Sequence, residues 1–201
     1  MRRVVGVLLA AGSSRRFGSN KLLAPLADGT PLAVAAASTL IAAVPESIAV
    51  VRPGDDELAA LLAENGFRIV ECADAQWGMG HSLAAGVAAA NTADAWLIAL
   101  ADMPSIKSST LADLVAQLHT GSKLVAPFHA GRRGHPVGFA AEFGAELLAL
   151  SGDAGARDLL ARHASLLTRL DVDDPGILFD VDTPADLVAQ LAGQPAAVLT
   201  S

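Results

Sequence analysis

The chain of 201 residues contains one cysteine, Cys72, so an internal disulfide is excluded. Neither that cysteine nor the five histidines fall in a spacing such as C-x-x-C or H-x-x-x-H, which argues against a structural zinc site. Basic charge is scarce. Fourteen Lys and Arg stand against 21 Asp and Glu, giving a formal charge of -7, and no broad positive footprint remains for nucleic acid or an anionic membrane. Phosphate binding must then be local. No apolar run reaches the roughly 20 residues that span a bilayer, and even "AVAAASTLIAAV" falls short. Repeats, low-complexity tracts and Pro/Gly-rich linkers are missing, which predicts one domain over residues 1–192 with a C-terminal tail at 193–201. The Met-Arg-Arg start followed by apolar residues carries no secretory cleavage pattern, so a cytoplasmic location is expected.

What is there is apolar material in short pieces. With 52% hydrophobic and 17% charged residues the composition is that of a globular protein. Runs such as "VVGVLLA", "SIAVV", "FRIVEC", "AWLIALA" and "KLVAPF", with weaker ones at "LLTRLDV" and "GILFDV", suit strands covered on both faces. Stretches of helical period lie between them, at 31–44, 55–65, 81–90, 108–119, 141–150, 155–163 and 184–191. The alternation predicts an α/β, doubly wound chain with a mostly parallel sheet.

Ligands of open α/β sheets bind beyond the carboxyl ends of the strands, where the first run breaks into "AAGSSRRFGSNK". Gly12 and Gly18 admit close backbone approach, Ser13 and Ser14 add hydroxyl donors, and Arg15, Arg16 and Lys21 bring positive charge. The stretch suits a polyphosphate; its bland alternative is a solvated turn with surface arginines. It matches neither the P-loop nor the G-x-G-x-x-G fingerprint. "WLIALADMP" ends a strand on Asp102, which suits a hard cation such as Mg²⁺ or, alternatively, a turn or helix cap. In "ILFDVDTPADL", Asp180 and Asp182 flank one Val and share a side if the chain is extended, as two carboxylates of a metal site would. Thr183-Pro184 also reads as a helix start with Asp182 or Thr183 as its cap. "QWGMGHSLAAGV" sets Gly78, Gly80 and Ser82 at a helix N-terminus, a place for an anionic or carbonyl-bearing group. His135 in "GRRGHPVGF" is open to three roles, namely base, acceptor contact or structural hydrogen bonder. No Ser-His-Asp or Cys-His arrangement can be inferred.

These segments together resemble, in order, the elements of the MobA-like NTP transferase family of GT-A-like nucleotidyltransferases, and especially its molybdenum cofactor cytidylyltransferase branch. The matches are L-A-A-G-x-S-x-R-x-G-x-x-K-L-L at 9–23, G-M-x-x-S-L at 78–83, and G-D-M-P at 101–104 with Ala101 in place of Gly. They continue with G-x-x-G-H-P-V at 131–137, G-D-x-G-A-R at 152–157 and D-V-D-T-P at 180–184. The resemblance implies a Rossmann-like three-layer α/β/α fold. It also implies a triphosphate cradle at Leu9, Ala10, Ala11, Gly12, Ser13 and Gly18, with Arg16 (or Arg15) and Lys21 stabilising charge as pyrophosphate leaves. Asp102 and Asp182 would ligate Mg²⁺, Asp102 counting as catalytic, with Asp180 a further candidate. Gly80 and Ser82 would flank the base and sugar, while His135 and Arg157 would meet the acceptor. The implied reaction is transfer of CMP from CTP to the molybdenum cofactor phosphate; Ala10-Ala11-Gly12 looks like the cytidylyl branch. Alternatives are GTP or another NTP, a sugar phosphate acceptor, or a catalytically weak chaperone delivering cofactor to a molybdoenzyme. Ala84, where many relatives carry Arg, and His81 depart from the pattern.

Overall fold

All six residues of β1 (Val4–Leu9) are buried, and odd and even positions enter different cores. Val5, Val7 and Leu9 pack with one apolar cluster, Val4 and Leu8 with the other. A central strand whose two sides are both covered has no reason to alternate with polar residues, which is why its sequence reads as an unbroken apolar run. The computed structural model describes residues 1–12, 17–18, 20–153 and 155–191.

Beside β1 lie β2 (Ser47–Val51) and β4 (Ala95–Leu100), both parallel to it, with β3 (Arg68–Glu71) parallel to β2 at the edge. The sheet continues through β7 (Val137–Ala140), antiparallel to β4, to β5 (Leu124–His129), which pairs with the short β6 (Arg132–Arg133) and, in parallel, with β8 (Leu167–Asp171). The order is β3-β2-β1-β4-β7-β5-β6, with β8 joined to β5. Helices α1 (Leu32–Ala43), α2 (Asp56–Glu64) and α4 (Ser108–His119) send Leu32, Leu40, Leu58, Leu62, Leu111, Leu114 and Leu118 into one face. Helices α3 (Met79–Ala89), α5 (Gly144–Leu148) and α6 (Arg157–Arg162) send Leu83, Val87, Leu147, Leu159 and Leu160 into the other. The result is the expected three-layer, mostly parallel α/β fold. No helix among the described residues is long and apolar enough to cross a membrane. The proposed tail, 193–201, lies outside the described residues.

One expected strand is not a strand. "GILFDV" begins as a 3-10 turn, Pro175–Leu178, and runs on irregularly to α7 (Pro184–Leu191). Pro175 offers no N–H to a ladder, and Asp174 selects the turn by accepting from Gly176 N at 3.0 Å. Asp174 is 1% exposed; its other oxygen accepts from Lys107 N (2.9 Å) and Thr110 Oγ1 (2.7 Å) at the start of α4. This buried carboxylate therefore moors residues 174–182 to α4. α7 then opens with a reciprocal cap, in which Thr183 Oγ1 accepts from Asp186 N and the Asp186 carboxylate accepts from Thr183 N.

β2 follows β1 on one side of it and β4 lies on the other, so the connections diverge and leave a crevice at the carboxyl ends. Ala10 N donates to Val50 O at 2.9 Å and Ala101 N to Leu9 O at 3.1 Å, which carries the strand pairing into both loops above the crevice.

Candidate active site

Above that crevice lies a cleft of about 800 Å³, whose lining includes Leu9, Ala11, Gly12, Lys21, Arg52, Gly78, Met79, Ser82, Asp102, Asp153 and Asp182. Its floor is a cluster of opposite charges. Lys21 stands on a 3-10 turn, Lys21–Leu23, capped by Asn20, whose Oδ1 accepts from Leu22 N at 3.2 Å. The Lys21 side chain is 8% exposed; its Nζ donates to Asp102 Oδ2 at 2.8 Å and to Asp182 Oδ1 at 2.9 Å. Burial alone would lower its pKa, but the two carboxylates outweigh that and hold it above the ordinary lysine value. The ammonium is charged throughout the neutral range.

Asp102 and Asp182 approach from distant parts of the chain, stitched by Val181 N donating to Asp102 O at 2.9 Å. With Asp180 they form a group of three carboxylates with ligand oxygens all within 4.8 Å of one another. Desolvation first, then the charges of Asp102 and Asp182, raise the Asp180 pKa above the ordinary aspartate value. Asp102 Oδ1 is buried and has no hydrogen-bond partner among the described residues. Three convergent carboxylates, with a buried Asp102 oxygen that has no hydrogen-bond partner among the described residues, form a donor set that fits a dication of the Mg²⁺ type. The extended strand expected to align Asp180 and Asp182 is absent; the moored turn brings them together instead.

The remaining expected residues fall into place unevenly. Leu9, Ala11 and Gly12 line the cleft, whereas Ala10 is buried beneath it. Gly18 is exposed, with φ +82°. Ser13, Arg15 and Arg16 lie outside the described residues. Ser82 lines the cleft and is 4% exposed. Gly80 does not line it: a Cβ there would lie 2.7 Å from the backbone of Ser151, and its N–H donates to Gly152 O at 2.8 Å. Gly78, at φ +123°, would place a Cβ 2.3 Å from Gly152 C. The two glycines thus seat the segment carrying Asp153, which itself lines the cleft. Arg157, first residue of α6, is exposed and absent from the lining. Ala101, in place of the family's Gly, packs into the core with Met103 and Ile106, so its methyl points away from the cleft.

His135 donates its backbone N–H to Ile177 O at 3.0 Å, and its buried Nδ1 has no partner among the described residues. Burial, then the Arg133 guanidinium, push its pKa down to about 4 against the pull of Asp102, so the imidazole is neutral at physiological pH. Two residues escape the motif reading, Arg52 and Asp174, of which Arg52 lines the cleft. Arg52 follows β2 directly, and its guanidinium pairs with Asp55 at 3.2 Å; Asp55 in turn accepts from Asn20 Nδ2 at 2.8 Å. The strand-end rule that singled out Asp102 would have found Arg52. Asp153 carried a motif signal, and Asp174 carried none because its partners lie more than 60 residues away.

A family model described as the MobA-like NTP transferase domain matches residues 6–166. Among curated relatives, nicotine blue oxidoreductase of Paenarthrobacter nicotinovorans is 35% identical, covering 90% of this chain and 92% of that protein. Purine catabolism protein PucB of Bacillus subtilis (strain 168) is 33% identical, covering 91% and 93%. Among solved structures, Rv0371c from Mycobacterium tuberculosis H37Rv superposes with a TM-score of 0.83 at 28% identity, covering 95% of this chain and 98% of that one. A structure of Rv0371c in complex with manganese gives 0.77 at 26%, covering 94% and 98%. With matching motifs, fold and cleft, the chain belongs to the MobA-like NTP transferase family, and it is a nucleotidyltransferase by family and fold.

Proposed function

We propose that the protein transfers CMP from CTP to the phosphate of the molybdenum cofactor and releases pyrophosphate, with Mg²⁺ as its metal. The observation that carries this reading is the meeting of Lys21, Asp102, Asp180 and Asp182 at the carboxyl ends of the sheet. Asp102 and Asp182, with Asp180 beside them, would hold the metal, whose chemistry is to neutralise the triphosphate and polarise it toward attack. The manganese complex of Rv0371c, a relative of the same fold, supports a dication in this family.

The chain's own part is positioning and fixed charge. Lys21 keeps its ammonium in the cleft and stabilises negative charge as the leaving group departs. The loop backbone at Leu9, Ala11 and Gly12 borders the triphosphate; Ser82 borders the base and sugar. An oxygen of the acceptor phosphate attacks the α-phosphorus. A P–O bond to the acceptor forms, and the bond from the α-phosphorus to its bridging oxygen breaks, so that pyrophosphate carries away the electron pair. That nucleophile is already ionised at neutral pH, and no general base is required. This accounts for a cleft lined by Lys21, Asp102, Asp153, Asp182, Gly12 and Gly78, with no activated Ser or Cys among the described residues. A cytoplasmic setting suits a soluble cofactor and the single reduced Cys72.

The test is pyrophosphate release over CTP, GTP, ATP and UTP with Mg²⁺ and molybdopterin cofactor. CTP is expected to be preferred; preference for GTP moves the protein to a guanylyl branch, and no release with any nucleotide overturns the transfer reading. The relative named nicotine blue oxidoreductase carries a second reading, a redox reaction on the same scaffold. Oxidation of a nicotinamide hydride donor in the same cleft would favour it.

A further inference from the structure

The hairpin that bears His135 also bears a charge that the site so far leaves unused. β6 is only two residues, Arg132 and Arg133, and both are exposed. Neither guanidinium has an ion pair or hydrogen bond among the described residues, in a chain whose formal charge is -7. Arg169 nearby makes the contrast. It lies over the Phe128 ring at 4.5 Å and is neutralised by Asp171 at 2.6 Å.

Strand pairing decides which of the two arginines faces the chemistry. In an antiparallel pair, opposed residues project to the same face. Arg133 opposes Phe128 and Arg132 opposes His129. Phe128 packs against the cluster that holds α3 and α6, so Arg133 stands on the face that carries Ser82 and the start of α6; Arg132 projects to the other face. The hairpin is also held firmly. Gly134 N donates to Pro127 O at 2.9 Å, and a Cβ on Gly134 would come within 2.2 Å of Ile177 O. That pins residues 133–135 to the turn that continues into Asp180 and Asp182. In strand order β4, with Asp102 at its end, lies between this hairpin and the β1 loop, so the hairpin flanks the acids on the side away from Lys21.

We propose that Arg133 binds the phosphate of the acceptor and sets its approach to the carboxylate cluster. The inference rests on the transfer reading above and adds to it the residue that selects an anionic acceptor. The planar fork of a guanidinium, carried here on a hairpin whose backbone is anchored, matches a phosphate monoester in a bidentate manner, which a lysine ammonium would not.

The experiment is calorimetric titration of the full chain with molybdopterin, without nucleotide and under anaerobic conditions, for wild type, Arg133→Gln, Arg132→Gln and Arg133→Lys. Arg133→Gln should bind about tenfold to a hundredfold more weakly, the size expected for a lost charge-assisted hydrogen bond. Arg132→Gln should bind as wild type, and Arg133→Lys should recover part of the loss. Dephosphorylated molybdopterin should bind wild type and Arg133→Gln alike. In turnover assays Arg133→Gln should raise KM for the acceptor and leave KM for CTP unchanged. Equal binding by Arg133→Gln and wild type, equal losses at both arginines, or no binding by wild type would each overturn the inference. Binding that depends on Arg133 without any pyrophosphate release breaks the transfer reading alone.

Discussion

The two edges of the sheet handle charge in opposite ways. At the amino edge Arg3 pairs with Glu46, its backbone N–H donates to Asp94 at 2.7 Å, and Lys123 meets Glu142 at 2.9 Å, all among well-exposed side chains. Each of these pairs is matched and wet, and such pairs add little to stability. At the carboxyl edge three carboxylates crowd round one buried lysine, with an acid oxygen left unsatisfied. A buried ammonium and a buried acid oxygen without a partner cost stability and are retained where a ligand completes them.

Breaking the carboxyl edge should have the largest consequence. Asp102→Ala is expected to lower turnover by about 10³-fold or more, while circular dichroism and the urea midpoint show a folded protein; near-normal rates would remove the metal site. Next in size is the mooring below it. Asp174→Ala strands the donors of Lys107, Thr110 and Gly176 in a buried place and should cost about 2–4 kcal/mol in urea unfolding. Turnover should fall with it, since the turn it selects delivers Asp180 and Asp182; an unchanged midpoint would refute the mooring.

A pH effect comes next. The unfolded chain takes a proton on His135 near pH 6.5, which the native state refuses until about 4. Stability should therefore be full above about pH 6.5 and decline as pH falls toward 4. His135→Asn should flatten that part of the profile; a profile unchanged by the substitution would show that His135 is not buried neutral. Least of all, Glu46→Ala at the amino edge should move neither the melting temperature nor the rate beyond error. A rate loss there would erase the contrast between the edges.

Much of this was legible along the chain, and the reason is continuity. The core strands are nearly all apolar because both faces are covered, and Lys21 and Asp102 sit on loops that follow β1 and β4, while Asp182 lies just before α7. Where contacts decide conformation, reading along the chain fails. "GILFDV" has a strand's composition, but Asp174 and Pro175 make it a turn through partners on α4. Gly80 reads as a ligand contact because it opens a helix, yet the space beside it is filled by Ser151, which no local pattern announces. Asp55 gains its meaning only when β2 is set beside β1, bringing Asn20 within reach.

That close fit of Gly78 and Gly80 against residues 151–152 reaches beyond this one molecule. Two loops that lie some 70 positions apart behave as a mated pair, like a key and its ward, and neither can drift without the other. A chimera that imports only one of them from a relative should lose the wall of the cleft, whereas one that imports both should keep it. Redesign of that wall of the cleft would therefore have to move both loops together.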